Sequence, residues 1–257
     1  MYLPVPSQPD CMSAWREAVR VVDQQRGRSA HNVIIDVKDP VSIPSLHREG
    51  FAIVDRFLEA HAKPIETVAN TIFPIGLYRR YGAPEFMTVF NDKVLPKVCR
   101  SQRWSGYYFE RMTRYPVAAG EPPNQIWDIV SRLRSGRTRA LNKFELSLFD
   151  PVRDVDNSPY GGQCLSFLSF KVIRGKQKSL ALTAMYRNHF YIEKLLGNLI
   201  GLGRLMDFVA KESGMLVGPL TVISAHAVVD RPKKVARSQV AEMLNEYDQV
   251  VTPRLAA

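Results

Sequence analysis

Three residues in one stretch of this chain have the types and setting for covalent chemistry on a small ring. Cys164 opens the apolar run Leu165-Ser-Phe-Leu-Ser-Phe170, Arg187 ends the run Leu180-Ala-Leu-Thr-Ala-Met-Tyr186, and Asn198 follows in Leu195-Leu-Gly-Asn-Leu-Ile200. A thiol can act as a nucleophile, and a forked guanidinium suits an oxyanion such as phosphate. A carboxamide offers a donor and an acceptor side by side, which matches the N3–H and O4 edge of uracil. Together they point to pyrimidine-nucleotide chemistry. Each has a plainer reading: a lone cysteine in a strand is more often a buried structural residue, and a core asparagine can be satisfied by nearby backbone.

The elements around these residues decide whether they can meet. Cys164–Val172 and Leu180–Tyr186 read as strands, with Arg174-Gly-Lys-Gln-Lys178 turning between them. An antiparallel hairpin brings the start of its first strand beside the end of its second, so Cys164 and Arg187 are expected to be neighbours. A nearby cation lowers a thiol pKa, which would favour the thiolate. Leu195, Asn198, Leu202, Leu205 and Val209 fall on one helical stripe, where a buried amide must find a partner. His226 interrupts the β-like segment Thr221-Val-Ile-Ser-Ala-His-Ala-Val228; His31, His47, His61 and His189 carry no stronger signal.

The rest of the chain reads as one α+β domain spanning 1–257, with no internal repeat and with 1–10 and 250–257 expected to be flexible. A helix is expected over Ser13–Gln25, a short strand over Asn32–Val37, and helical pieces from Phe51 to Ala62 and from Ile65 to Phe73. Further expectations are a helix from Gln125 to Leu133 and a strand over Phe144–Phe149. Glu66 and Asn70 project from one helical face; a glutamate in a first turn usually serves the helix dipole.

Cys11, Cys99 and Cys164 form no pair with metal-ligand spacing, which excludes a structural zinc site or a disulfide framework as an expectation. No apolar run is long enough to span a membrane and no secretory leader is evident, so a cytoplasmic protein is expected. The net charge of +10 favours anionic partners. The arginines are spread in short groups, which fits solvated helix faces and a few phosphate contacts rather than a nucleic-acid stripe.

On Cys164 with Phe170-Lys-Val172, Arg187, Leu196-Gly197-Asn198, Gly214-Met-Leu-Val-Gly218 and His226, the chain resembles the thymidylate synthase and pyrimidine hydroxymethylase superfamily. The intervals from Arg187 to Asn198 and from Asn198 to Gly218 match that family, and the resemblance covers about Asn142 to Asp230. It implies a mixed sheet packed with helices, with a sheet face forming a homodimer interface. It also implies methyl or hydroxymethyl transfer to C5 of a pyrimidine nucleotide monophosphate, through addition of Cys164 to C6, with 5,10-methylenetetrahydrofolate as the one-carbon source and no metal. Arg187 would hold the phosphate, Asn198 would read the base, and His226 would lie near the sugar.

In the first half, Arg26 or Arg28 resembles a mobile phosphate arginine, with Arg28 the candidate. Glu66 resembles a proton-relaying glutamate, and Tyr107 or Tyr108 resembles a tyrosine near the cysteine, with Tyr108 the candidate. The stretch Arg137–Lys143, with Arg139 and Lys143 as candidates, lies where the family contributes phosphate-binding arginines across the dimer. The chain departs from the family pattern at Leu165 (usually His), Asn188 and Phe190 (usually Ser and Asp) and Val228 (usually Tyr). These departures bear on the sugar and on folate, and suggest a specialised relative whose alternatives are a folate-independent reaction at C5 or a non-catalytic nucleotide-binding role.

Overall fold

In the computed structural model, which describes residues 2–42, 44–98, 106–137, 140–155 and 162–255, the chain begins inside the fold. β1 (Leu3–Pro4) pairs in parallel with β2 (Ser29–Val37), and α1 (Cys11–Asp23) connects them. Asp10 starts α1 because its Oδ1 accepts from the N–H groups of Met12 and Ser13, both at 2.9 Å. A run of short helices follows: α2 (Arg48–His61), α3 (Ile65–Ile72), α4 (Ile75–Tyr81), α5 (Glu85–Val89) and α6 (Leu95–Val98). Pro64, Pro74 and Pro84 stand just before α3, α4 and α5, where the missing N–H costs nothing. α7 (Tyr108–Thr113) and α8 (Gln125–Ser135) lead to β3 (Phe144–Ser147), β4 (Leu165–Ile173), β5 (Ser179–Tyr186) and β6 (His189–Phe190). A π-helical turn over Tyr191–Leu195 enters α9 (Leu196–Ser213), and β7 (Leu216–Val228) and α10 (Arg237–Leu255) complete the chain.

Among the described residues the strands form one mixed sheet in the order β1-β2-β7-β5-β4-β3, with β6 pairing on β7. The expected β4–β5 hairpin is antiparallel, whereas β5 and β6 run parallel to β7. Its register puts Leu168, Ala184, Val222 and Ile35 in one row that is wholly buried. The adjacent row, Phe167, Met185, Ile223 and Ile34, faces the other way, with Phe167 38% and Met185 42% exposed. One face is therefore core, and the other carries this partly covered apolar row beside a polar one, Ser169, Thr183, Thr221 and Asp36.

α9 differs from the single apolar stripe that the sequence suggested. It is buried on nearly every side, since α3, α8, α1 and the sheet surround it. Close approach explains its glycines. A Cβ on Gly197 would stand 2.6 Å from Val68 Cβ, and one on Gly203 would stand 2.1 Å from the Pro40 carbonyl oxygen. Each large apolar side chain fully removed from water here contributes about 1.5–3 kcal/mol. Near the ends of the described residues, Val5 is buried, and α10 packs on α2 and runs through 250–255. Val240, Met243, Leu244, Tyr247 and Val251 recur at helical spacing and are buried, so this helix was legible in the sequence although it was not singled out there.

Candidate active site

The hairpin meets at Cys164 and Arg187. The Arg187 N–H donates to the Cys164 carbonyl at 2.9 Å, next to the Leu165–Tyr186 pair and just before a register shift between Leu165 and Phe167. The Arg187 side chain turns back along the same loop, where its Nε donates to the Gln163 carbonyl at 3.0 Å while the residue stays exposed. Gln163 is in turn buried and donates from Nε2 to the Gly106 carbonyl at 3.2 Å. Gly106 leads directly into α7.

α7 supplies both a phenol beside the cysteine and a brace. The N–H groups of Leu165 and Cys164 are aimed at the Tyr108 hydroxyl, whose pKa is nonetheless raised, first by burial and then by the nearby thiolate. One turn on, buried Arg111 holds Asp154 at 2.9 Å, and Asp154 underlies Gly162, whose φ of 76° admits no ordinary side chain. The same short helix thus fixes the loop that presents Cys164. Glu110 lies there as well, with its pKa raised by burial despite Arg111 and the Tyr107 N–H.

Burial also dominates the thiol. The sequence led us to expect a lowered pKa, but burial pushes the Cys164 pKa up and the charges of Arg187 and Lys194 offset it only in part. Tyr186 lies beside this site with its ring centroid 6.4 Å from that of Tyr108. Its buried hydroxyl has no hydrogen-bond partner among the described residues. An unmet buried hydroxyl is costly, so its place beside Cys164 is notable.

Asn198 is 3% exposed and its amide nitrogen is 2.9 Å from His189 Nε2. His189 Nδ1 is 3.0 Å from Ser224 Oγ, and the Tyr191 hydroxyl donates to that same oxygen at 3.2 Å. A second histidine lies two residues beyond Ser224 on β7. His226 donates from Nδ1 to Asn188 Oδ1 at 2.8 Å and its ring lies 5.1 Å from that of His31 on β2. Burial, then His31, lowers the His226 pKa. Cys164, Tyr108, Arg187, Asn198 and His226 are therefore carried by one corner of the sheet and the two elements packed on it.

The remaining candidates lie elsewhere. Glu66 faces outward in the first turn of α3, where Arg204 holds its carboxylate through two bonds of 2.9 and 2.5 Å; this contact fits the plainer structural role. Arg28 is paired with Asp23 at the start of β2. Lys143 precedes Phe144, which pairs with Phe170, so it lies roughly 20 Å along β4 from Cys164 within one chain. Arg139 and Cys99 lie outside the described residues.

A cleft of about 480 Å³ is lined by Thr67, Asn70, Leu77, Arg80, Phe90 and Tyr107, among others. Tyr107 adjoins Tyr108, which links this cleft to the cysteine. Aromatic walls, an amide and a guanidinium suit a flat heterocycle with an acidic tail. Among the described residues no group of three or more His, Cys, Asp or Glu side chains could hold a metal ion, and no helix is long and apolar enough to cross a membrane.

Glu110, Tyr186 and His189 were not singled out by the sequence. Strand alternation with Leu180, Leu182 and Ala184 does place Tyr186 inside, where a phenol needs a partner. His189 gave no signal because its contact with Asn198 arises from the β6–β7 pairing and not from helical spacing.

No protein-family model matches the chain. Three curated archaeal proteins, each named "Putative thymidylate synthase", are similar to it. That of Methanothermobacter marburgensis is 24% identical over 212 residues, covering 80% of this chain and 82% of the relative. That of Methanocaldococcus jannaschii is 27% identical over 201 residues, or 74% and 85% of the two chains. That of Methanopyrus kandleri is 31% identical over 141 residues, or 54% and 61%.

Proposed function

We propose that this chain, a divergent thymidylate synthase-like protein, transfers a methyl or hydroxymethyl group to C5 of a pyrimidine nucleotide through a covalent adduct of Cys164. The observation that carries this reading is the main-chain bond joining Cys164 to Arg187, which sets a nucleophile and an anion-holding cation at one hairpin end. Cys164 sulfur adds to C6 of the ring, and the electron pair of the C5–C6 double bond moves toward C4 and its oxygen. C5 is then a carbon nucleophile. When C5 has taken its new carbon, loss of the C5 proton and departure of the sulfur restore the double bond.

Each protein group has a role in that sequence. Arg187 holds the phosphate, Asn198 binds the base edge with uracil favoured, and His226 with Asn188 lies toward the sugar. Tyr108, set against the Cys164 backbone, orders the solvent that accepts the C5 proton. Glu110, which lies against Gly106, is the carboxyl assigned to proton transfer in place of Glu66, whose oxygens are occupied by Arg204. The cleft beside Tyr107 would hold 5,10-methylenetetrahydrofolate, with Phe90 and Tyr107 against its ring and Arg80 toward its acidic tail. That group would supply a one-carbon unit at the oxidation level of formaldehyde and also the hydride that a methyl product needs, whereas a hydroxymethyl product takes water instead.

The row Phe167, Met185, Ile223 and Ile34 supports a homodimer formed through the outer sheet face. In such a pair Arg139 and Lys143 would reach the partner's phosphate. A folate-independent reaction at C5 is the second reading, favoured by Phe190, an apolar residue 41% exposed on β6.

Release of tritium from C5 separates these readings. The protein is incubated with C5-tritiated dUMP, UMP, dCMP and CMP, with and without methylenetetrahydrofolate. Release that requires the folate supports the first reading, and release indifferent to it supports the second. No release from any nucleotide overturns both.

A further inference from the structure

We propose that the buried hydroxyl of Tyr186 and the hydroxyl of Tyr108 hold one water whose hydrogen is directed at the Cys164 sulfur, and that this water stabilises the thiolate. The contacts themselves need no substrate, whereas their use in catalysis rests on the pyrimidine reading of this site. Tyr186 is thereby a positioning residue, which acts on the nucleophile through a neighbour.

Burial disfavours the ionised thiol more than Arg187 and Lys194 favour it, so a nucleophile at this place needs a further stabilising contact. Tyr186 has one to give. It stands opposite Leu165 in the β4–β5 register, is wholly buried, and its hydroxyl has no hydrogen-bond partner among the described residues. The ring cannot swing out to solvent, because it stacks on the buried His189 ring with centroids 4.0 Å apart and planes 13° apart. Buried hydroxyls are nearly always satisfied, by protein or by ordered water.

Tyr108 supplies the second donor. Its ring meets that of Tyr186 edge-on, with planes at 87°. Charge on Cys164 is felt at both hydroxyls, and the hydroxyls feel one another, so the three groups converge on one small region. The Tyr108 oxygen already accepts from the N–H groups of Leu165 and Cys164, which leaves its own hydrogen to give. A water between the phenols accepts one hydrogen from each and so fills both its lone pairs. Its remaining bond goes out to sulfur, and about three partners is the usual number for a buried water.

A neutral thiol is a weak acceptor and a thiolate a strong one, so this bond strengthens as the thiol proton leaves to solvent. Burial keeps both phenols protonated, and hence donors, while the thiol ionises. The groups that set the charge around the sulfur are Arg187 at the end of β5, Lys194 on the π-helical turn, Tyr108 on α7 and Tyr186 on β5. His189 on β6, stacked behind Tyr186, is neutral because burial pushes its pKa down to about 3. Once sulfur bonds to C6 its charge is gone, and the Tyr108 hydrogen is free for the solvent of the later proton transfer.

The test compares wild type, Tyr186→Phe and Tyr191→Phe as free proteins, with folding checked by circular dichroism. Tyr191 is a second wholly buried phenol, whose hydroxyl bonds Ser224 instead. The rate of Cys164 alkylation by iodoacetamide is followed against pH, with peptide mapping. Tyr186→Phe is expected to move the midpoint up by about one pH unit, a tenfold change on the scale of one hydrogen bond to a charged group, and Tyr191→Phe is expected to leave it in place. An unchanged or lower midpoint in folded Tyr186→Phe overturns the proposal, as does an equal rise in Tyr191→Phe, which would mark a general loosening of the core. A crystal structure of the wild type gives a second readout that needs no variant: a water within hydrogen-bond distance of both phenol oxygens is expected, and none there overturns the proposal. No nucleotide is present in either measurement, so their failure leaves the pyrimidine reading standing, and failure of tritium release leaves their outcome unchanged.

Discussion

The carbonyl of Cys164 accepts the backbone N–H of Arg187 at 2.9 Å, so the main chain fixes the distance between the thiol and the cation. Two opposing effects then act on the thiol: burial raises its pKa, and Arg187 and Lys194 lower it by less. Removing a cation removes stabilisation of the thiolate. Arg187→Gln is therefore expected to slow alkylation of Cys164 by iodoacetamide at a fixed pH below the thiol's pKa and to move the rate–pH profile to higher pH. Peptide mapping separates Cys164 from Cys11, which burial raises further and whose thiol donates to the Pro40 carbonyl. An unchanged profile would mean that Arg187 does not tune the thiol.

Asp230 gives a pH dependence of stability. Its Oδ1 accepts from the Ile192 N–H at 2.8 Å at the turn leading to Asn198, but burial outweighs that bond and pushes its pKa up to about 6. An acid raised above its unfolded value binds a proton more tightly in the fold, so its contribution is full below about pH 4 and falls as pH rises through about 6. Asp230→Asn keeps the accepting oxygen and cannot ionise. The wild-type unfolding free energy, measured in urea relative to that variant, should decline across this window and level off above it. A difference that rises with pH would contradict the assignment.

Packing around α9 gives a third expectation. Gly203→Ala would set a methyl group 2.1 Å from the Pro40 carbonyl oxygen, a backbone atom that cannot step aside alone. Overpacking of this kind costs about 1–3 kcal/mol, although alanine favours a helix by about 1 kcal/mol. A net loss of stability is expected in thermal or urea unfolding. A gain would mean that the helix and the Pro40 segment separate easily.

Legibility in the sequence followed the range of the contacts. The hairpin could be read because strand composition and a Gly-Lys turn are local, and geometry then brings Cys164 to Arg187. Asn198 stood out because an amide interrupts apolar residues, yet its partner His189 depends on β6 joining β7, a pairing no local pattern encodes. Glu66 matched a family position by its helix and its neighbours, whereas Arg204, which binds it, lies far along the chain. The thiol pKa was expected to fall because a cation is visible in sequence and burial is not.

The central claim is that Cys164 sulfur bonds to C6 of a pyrimidine. A 5-fluoropyrimidine nucleotide tests it most directly, because fluorine cannot leave C5 as a proton does and the adduct therefore persists. The protein is incubated with 5-fluoro-dUMP and methylenetetrahydrofolate, denatured, digested and analysed by mass spectrometry. The account predicts a mass increase on the peptide containing Cys164, absent from Cys164→Ala. No adduct, or one carried by another residue, would contradict it.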